Sequence, residues 1–506
     1  MRPDLWTARS LAMRLLGSLS VSVVAISSLP AQGRRAADSA GVSTSALVSA
    51  LIDTSGVGFA FPTFVDIILR GHPIAQQATL IAAQTRSELR TAWGAFDPTI
   101  TALWDQKRFG GVSYYNYFDA EMKIPLPIGA DVTLAFDRTL GKFTNPDRGT
   151  SGGGTFEAGV SIPLGQRIVT DERRNALAQA RAARDVGAAD QVAIINKLLF
   201  TAAKDYGAWY EAWRRRAILQ EGEALAEFRL QGVRRRVSNG ESAPIDTVEA
   251  GLEVRRRRVS RLEAEAAFYF ATLDVTAYIW DDAGRPAPLP PEAKPVLDGI
   301  GRGGIDSTRL AALLDVATRR NPELLKVQAR VKQAQAQRLF ATQGLLPLAE
   351  AKLAGLSDRS SDDAFFDGDR LGDNYKAGLL IKSPVLFLRE SGRFTASGQR
   401  LEFQRLEEDR VRRQAEIDTR EAIFDLANLE RLLSLQTGNV SSARLLRDAE
   451  QIRYENGEST LLIVNLRERL VLDESIKLAA LESKVAGARA ALVVATGDRA
   501  LLSPQK

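Results

Sequence analysis

Apolar residues recur at helical spacing over residues 64–92 and 308–343. After Pro98 and Pro347 the period changes to two. Phe118, Ala120, Met122 and Ile124 alternate with Asp119, Glu121 and Lys123, and Phe156, Ala158, Val160 and Ile162 alternate with Glu157, Gly159 and Ser161. Later in the chain Ala349, Ala351 and Leu353 alternate with Glu350 and Lys352. Such alternation predicts strands with one polar face, suited to an antiparallel sheet on a core or to a membrane barrel wall. Four strands are expected first, near 99–107, 115–124, 130–139 and 154–162, and two more near 349–357 and 374–382. No proline interrupts the chain between Pro163 and Pro244, or between Pro384 and Pro504. A helix over 171–237 would be roughly 100 Å long, and a helix of that length needs partner helices alongside it.

The pattern occurs twice. "FVDIILRGHPIAQQATLIAAQ" (64–84) lies against "LLDVATRRNPELLKVQARVKQ" (313–333), and Asp66, Pro73, Gln84 and Pro98 pair with Asp315, Pro322, Gln333 and Pro347 at one offset of 249 residues. "SNGES" at 238–242 then returns as "ENGES" at 455–459, 217 residues on, so the first copy carries about 32 residues more between Pro98 and Gly240. Asn239 with Gly240, and Asn456 with Gly457, suit left-handed helix C-caps, and Ser242 and Ser459 suit the N-caps of the following helices. Each NGES is expected to be the tight turn of a long helical hairpin. The expected divisions are a signal segment (1–31), an N-terminal extension (32–60), a first repeat (61–280), a Pro/Gly-rich linker without hydrophobic period (281–306) and a second repeat (307–500).

Composition narrows the function classes. The 506-residue chain has no cysteine, which removes disulfides and thiolate metal sites. Its one histidine, His72, precedes a helix-start proline and has no partner histidine, so neither a metal site nor a cofactor is expected. A net charge of +5 is small for this length and argues against nucleic acid as a partner. "RRRR" at 255–258, flanked by Glu249, Glu253, Glu263 and Glu265, reads as the solvated face of a helix. "GIGRGGI" (299–305) reads as linker, and without GxSxG or HExxH nothing points to an enzyme. Arg2, Arg9 and Arg14 precede the apolar run 15–29 and "PAQG", the order of a secretory signal with cleavage expected after Ala31.

With export, barrel-type strands and paired long helices in this order, the chain resembles the TolC family of outer-membrane efflux proteins. The likeness runs from about Phe61 to Asp498 and rests on the doubled order of "NP", strand-entering proline and hairpin tip, the tips reading "RRRVSNGESAPIDTVEA" and "IRYENGESTLLIVNLRE". It implies a mainly α fold with a membrane β-barrel, in which a homotrimer shares one barrel in outer-membrane lipid and a coiled-coil α-barrel crosses the periplasm. It also implies a passive exit duct of a tripartite efflux or type I secretion system, joined by a periplasmic adaptor (membrane fusion) protein to an inner-membrane pump of the RND or ABC type. The adaptor would dock at Asn239, Gly240, Ser242, Asn456, Gly457 and Ser459. In the family pattern acidic gate residues follow the tip glycine by six and sometimes nine positions. Asp246 and Glu249 stand there in the first repeat, but Ile463 and Leu466 in the second, with Arg453 or Arg467 as ion-pair partners for Asp246. The family has two barrel strands per repeat, whereas the first repeat here has four expected strands. The alternative class is a periplasmic coiled-coil scaffold whose strands form an ordinary sheet without a pore.

Overall fold

The structure, a computed structural model, describes residues 58–281, 284–290, 293–297, 307–358 and 374–498. The expected signal segment and "GIGRGGI" lie outside them. A short strand β1 (Phe59–Ala60) leads into α1 (Phe61–Gly71) and α2 (Pro73–Trp93). Four strands follow: β2 (Thr99–Phe109), β3 (Val112–Pro125), β4 (Asp131–Leu140) and β5 (Thr155–Pro163). Then come α3 (Glu172–Ser238) and α4 (Pro244–Thr276). After β6 (Pro295–Val296) the same order of elements returns: α5 (Ser307–Arg320), α6 (Pro322–Gln343), β7 (Leu348–Asp358), β8 (Tyr375–Lys382), α7 (Leu388–Glu455) and α8 (Leu461–Thr496).

The starts of α2 and α6 show why the two halves read alike. His72 Nδ1 accepts the Ile74 amide at 3.2 Å, and Asn321 Oδ1 accepts the amides of Glu323 at 3.0 Å and Leu324 at 3.2 Å. Each is an N-cap with proline at the first helical position, where no amide hydrogen is needed. The His72 cap requires a neutral imidazole, and burial lowers the pKa of that ring.

The two long helices have 67 and 68 residues, and the helix returning from each tip has about half that length, 33 and 36. The other half of α3 is covered differently. Its first turns meet α2, where Gly187 leaves room for Thr85, and α6, where Lys326 pairs with Asp190 at 2.7 Å. Its later turns meet α4 and α8, with Trp209 Nε1 donating to Thr272 at 3.0 Å and Tyr210 donating to Glu482 at 2.8 Å. No helix among the described residues is long and apolar enough to cross a membrane.

The largest core lies where these covers change over. Phe61, Phe64, Ile67, Ile68, Leu199, Tyr206, Trp209, Val275 and Ile279 are buried there, against Ala486, Ala490 and Val493 of α8. The buried Tyr206 hydroxyl lies between the carbonyls of Phe59 and Val296 and accepts the Val296 amide at 3.0 Å. It thereby clips the parallel pair β1–β6 onto the core. Over its described residues the Pro/Gly-rich linker is therefore fixed, with Ala287, Leu289, Ala293 and Leu297 packed on the same cluster. Isolated side chains on extended backbone carry no period, so the sequence pattern did not show this packing.

Candidate functional site

β2 to β8, apart from β6, form one antiparallel sheet in the order β2-β3-β4-β5-β7-β8. The extra length of the first half is an added β3–β4 hairpin within this sheet and a loop over residues 141–154. The hairpin is anchored, because Asp131 at its turn pairs with Arg173 of α3 at 2.8 Å and with Lys123 at 3.2 Å. Residues opposite each other across a ladder share a face. One row therefore runs Ile100, Met122, Leu134, Ala158, Gly355, Tyr375, and the next on that face runs Ile124, Val132, Val160, Leu353, Ala377. The rows between them carry Thr101, Glu121, Ala135, Glu157 and Leu356, and Lys123, Thr133, Gly159, Ala354 and Lys376.

The sheet thus has an apolar face and a polar face. Phe118, Met122, Ile124, Phe156, Val160 and Ile162 share the first, and Asp119, Glu121 and Lys123 the second. Among the described residues nothing covers the apolar face: Ile100 is 77% exposed, Trp104 66% and Leu379 66%. Soluble proteins rarely leave such a continuous apolar surface in water. Trp104 also donates its Nε1 hydrogen to Asn116 at 2.9 Å, the amphipathic arrangement common at a membrane interface. Neutralised charge lines the polar face, with Lys376 on Glu157 at 3.0 Å and Lys352 on Glu350 at 3.5 Å, while Ser161 donates to Glu350 at 2.7 Å.

At the far end of the helices the two NGES turns lie side by side. Val233, Ala250 and Leu461 are buried together, and the Arg236 guanidinium lies 4.8 Å from the Tyr454 ring centre. Both turns close identically. Glu241 N donates to Arg236 O and Gly240 N to Val237 O; Glu458 N donates to Arg453 O and Gly457 N to Tyr454 O. These are Schellman closures, with φ of +79° at both Gly240 and Gly457. The serines do not cap as expected. Ala243 and Thr460 hold the N-cap positions without side-chain hydrogen bonds, and Pro244 sets the first turn of α4. Ser459 instead donates to Glu450 at 2.6 Å.

The gate candidates fall near these turns. Asp246 sits in the first turn of α4, and among the described residues it makes no ion pair. The expected partners Arg453 and Arg467 turn to Glu450 instead, at 3.6 and 3.9 Å. The buried Glu450 carboxylate is nearer to them, on α7 itself. Glu249 is half-buried, while Ile463 and Leu466 are 38% and 58% exposed and share a face of α8.

Residues 313–498 match the family model described as "Outer membrane efflux protein". Over these residues, which are less than half of the chain, it is similar to outer membrane efflux proteins. Its fold is similar to the open-state Neisseria gonorrhoeae MtrE outer membrane channel, with a TM-score of 0.59 at 16% identity, covering 86% of this chain and 88% of that one. It is also similar to the Vibrio cholerae outer membrane protein VceC (0.58, 15%, 86% and 96%) and to the Campylobacter jejuni CmeC outer membrane channel (0.57, 11%, 86% and 85%). No similar sequence is found among curated proteins. The fold is thus that of outer membrane channels, with a sheet at one end of a large helical part.

One feature was not apparent from the sequence. Within "RRRR", Arg255 and Arg256 are exposed as a solvated face requires, but Arg257 is only 4% exposed. It donates to Glu253 at 3.0 Å, to the Gly222 carbonyl at 2.9 Å and to Glu468 at 2.8 Å, joining α3, α4 and α8. Glu468 also pairs with Arg229, and Glu253 with Arg469. Breaking such a buried pair by removing one partner costs about 3–5 kcal/mol, so this cluster fixes the helix register above the tips. The only sequence signal was Glu253 four residues before Arg257; the third partner comes from 211 residues away.

The two faces make different demands on substitution. An arginine facing lipid at mid-membrane costs about 2–4 kcal/mol, and one facing the lumen very little. Val160→Arg is therefore expected to lower the amount of assembled outer-membrane protein sharply, and Ser161→Arg to leave it near the wild-type level. Equal loss at both positions, measured in membrane fractions, would contradict this assignment of faces.

Proposed function

We propose that three copies of this chain share one barrel and form the passive exit duct of a tripartite efflux or type I secretion system, built on a duplicated unit. The observation that carries the reading is the open six-stranded sheet with an exposed apolar face. Membrane barrels start at about eight strands, so one such sheet is too narrow to close alone. Three sheets of six give eighteen strands, a wall about 40 Å across for strands about 4.8 Å apart and tilted about 45°. A periplasmic scaffold with the same sheet would leave the apolar face in water. The helices support the same assembly. Ile245, Val248, Leu252, Val259, Leu262, Tyr269 and Leu273 are exposed along α4 at heptad spacing, a seam for a helix of a neighbouring copy. α3, at roughly 100 Å, is long enough to carry the duct far into the periplasm.

At the periplasmic end, the paired turns around Gly240 and Gly457 would present six similar tips to a periplasmic adaptor, which would join the duct to an inner-membrane pump of the RND or ABC type. Ile463 and Leu466 of three copies would close the entrance by apolar packing. Asp246 and Glu249 would stand beside them as an acidic ring, free of the intrachain pairs that occupy Arg453 and Arg467.

Two experiments test this end of the duct. A Cβ at Gly240 or Gly457 meets no atom within 4 Å, and a non-glycine residue at that φ costs about 1–2 kcal/mol. Gly240→Tyr and Gly457→Tyr are therefore expected to keep the oligomer while abolishing efflux in cells; efflux at the wild-type level with intact oligomers would remove the tips from docking. For the gate, Ile463→Ser with Leu466→Ser is expected to raise the basal conductance of purified oligomers in bilayers more than Asp246→Asn does. Unchanged conductance in both variants would place the closure elsewhere.

A further inference from the structure

The loop between β4 and β5, residues 141–154, lies at the end of the sheet away from the helices and folds back over the polar face. A short turn, Pro146–Arg148, carries the Arg148 guanidinium onto Asp119 of β3 at 2.7 Å and over the Tyr117 ring at 4.7 Å. The Thr150 hydroxyl accepts the Thr139 amide at 2.8 Å, and Thr139 on β4 is left only 8% exposed beneath the loop. Both corners are set by glycine. At Gly141 (φ +133°) a Cβ would lie 2.6 Å from the Tyr114 carbonyl, and at Gly154 (φ +92°) 2.5 Å from the Phe136 ring. A side chain at either corner would collide with the sheet, so the inward path of the loop depends on glycine at both ends.

Charge explains the position of Arg148. Asp119 and Asp137 are directly opposed across β3 and β4, an arrangement that like charges disfavour. Arg148 supplies the cation beside them, while the nearby Glu157 is answered by Lys376.

We propose that the loop over residues 141–154, held inward by Arg148, is a size and charge filter at the outer mouth of the barrel. This rests on the shared-barrel reading above. Three loops, each adding a layer about 10 Å thick, would reduce an opening of about 40 Å to about 20 Å. Such a mouth passes small and extended solutes and holds back folded proteins. With Arg148 present the acidic rim is partly neutralised; without it the mouth favours cations.

The chain has no cysteine, so one introduced cysteine is a unique thiol. Glu121 is exposed on the polar face and lies further from the mouth than Asp119 along β3. Glu121→Cys in the full-length protein on intact cells would be labelled from outside with small cationic and anionic methanethiosulfonates and with a bulky polyethylene-glycol maleimide. With the loop in place the small reagents are expected to react and the bulky one to lag. Deleting residues 143–152, or Arg148→Ala should the deletion fail to assemble, is expected to raise the bulky reagent's rate several-fold. Arg148→Ala is also expected to shift the ratio of small-reagent rates toward the cation. A bulky-reagent rate that neither variant changes would overturn the filter while leaving the barrel intact. Labelling of Met122→Cys in place of Glu121→Cys would overturn the barrel reading together with it.

Discussion

A hydrocarbon layer offers no hydrogen-bond partner to a strand edge, and each unsatisfied backbone group there costs several kcal/mol. The rest of this molecule follows from that constraint. β2 and β8 are the two edges of a sheet whose apolar face has no cover among the described residues. A sheet of this kind is stable in a membrane only if its edges meet other strands. The pairing must also keep every Met122-type position outward and every Glu121-type position inward, because a slip of one residue exchanges the faces.

The helical part inherits this geometry. The strands leave the sheet through α3 and α7, and these helices need a partner along their whole length. The chain meets that need with two sets of shorter helices, α2 and α6 near the sheet and α4 and α8 near the tips. The aromatic core around Tyr206 and Trp209 lies at the changeover and is clipped by β1 and β6. The Arg257 cluster fixes register in the tip half, where the packed residues are smaller. What is left exposed among the described residues is arranged in order: an apolar wall, a heptad seam on α4 and two turns.

Much of this was legible in the sequence because it is local. Period-two alternation located all six sheet strands to within a few residues, and the proline-free stretches located the long helices. Asn-Gly marked both Schellman turns, since only a residue at ease with positive φ ends a helix that way. The misses were positions settled by a neighbour distant in sequence. Ser459 caps nothing because Glu450 takes its hydroxyl, Arg453 and Arg467 turn to the same carboxylate, and Arg257 is drawn inward by Glu468. The inward fold of residues 141–154 was equally hidden. "NPDRGTSGGG" reads as a plain loop until Arg148 is seen on Asp119.

The central claim is that the six strands of each chain enter one shared wall. Electron cryomicroscopy of the full-length oligomer in lipid nanodiscs tests it most directly. The account predicts a three-fold ring of eighteen strands, with β8 of each copy paired to β2 of the next and the face bearing Met122 and Val160 against lipid. A wall that leaves out the β3–β4 hairpin, or an apolar face packed on protein instead of lipid, would contradict it.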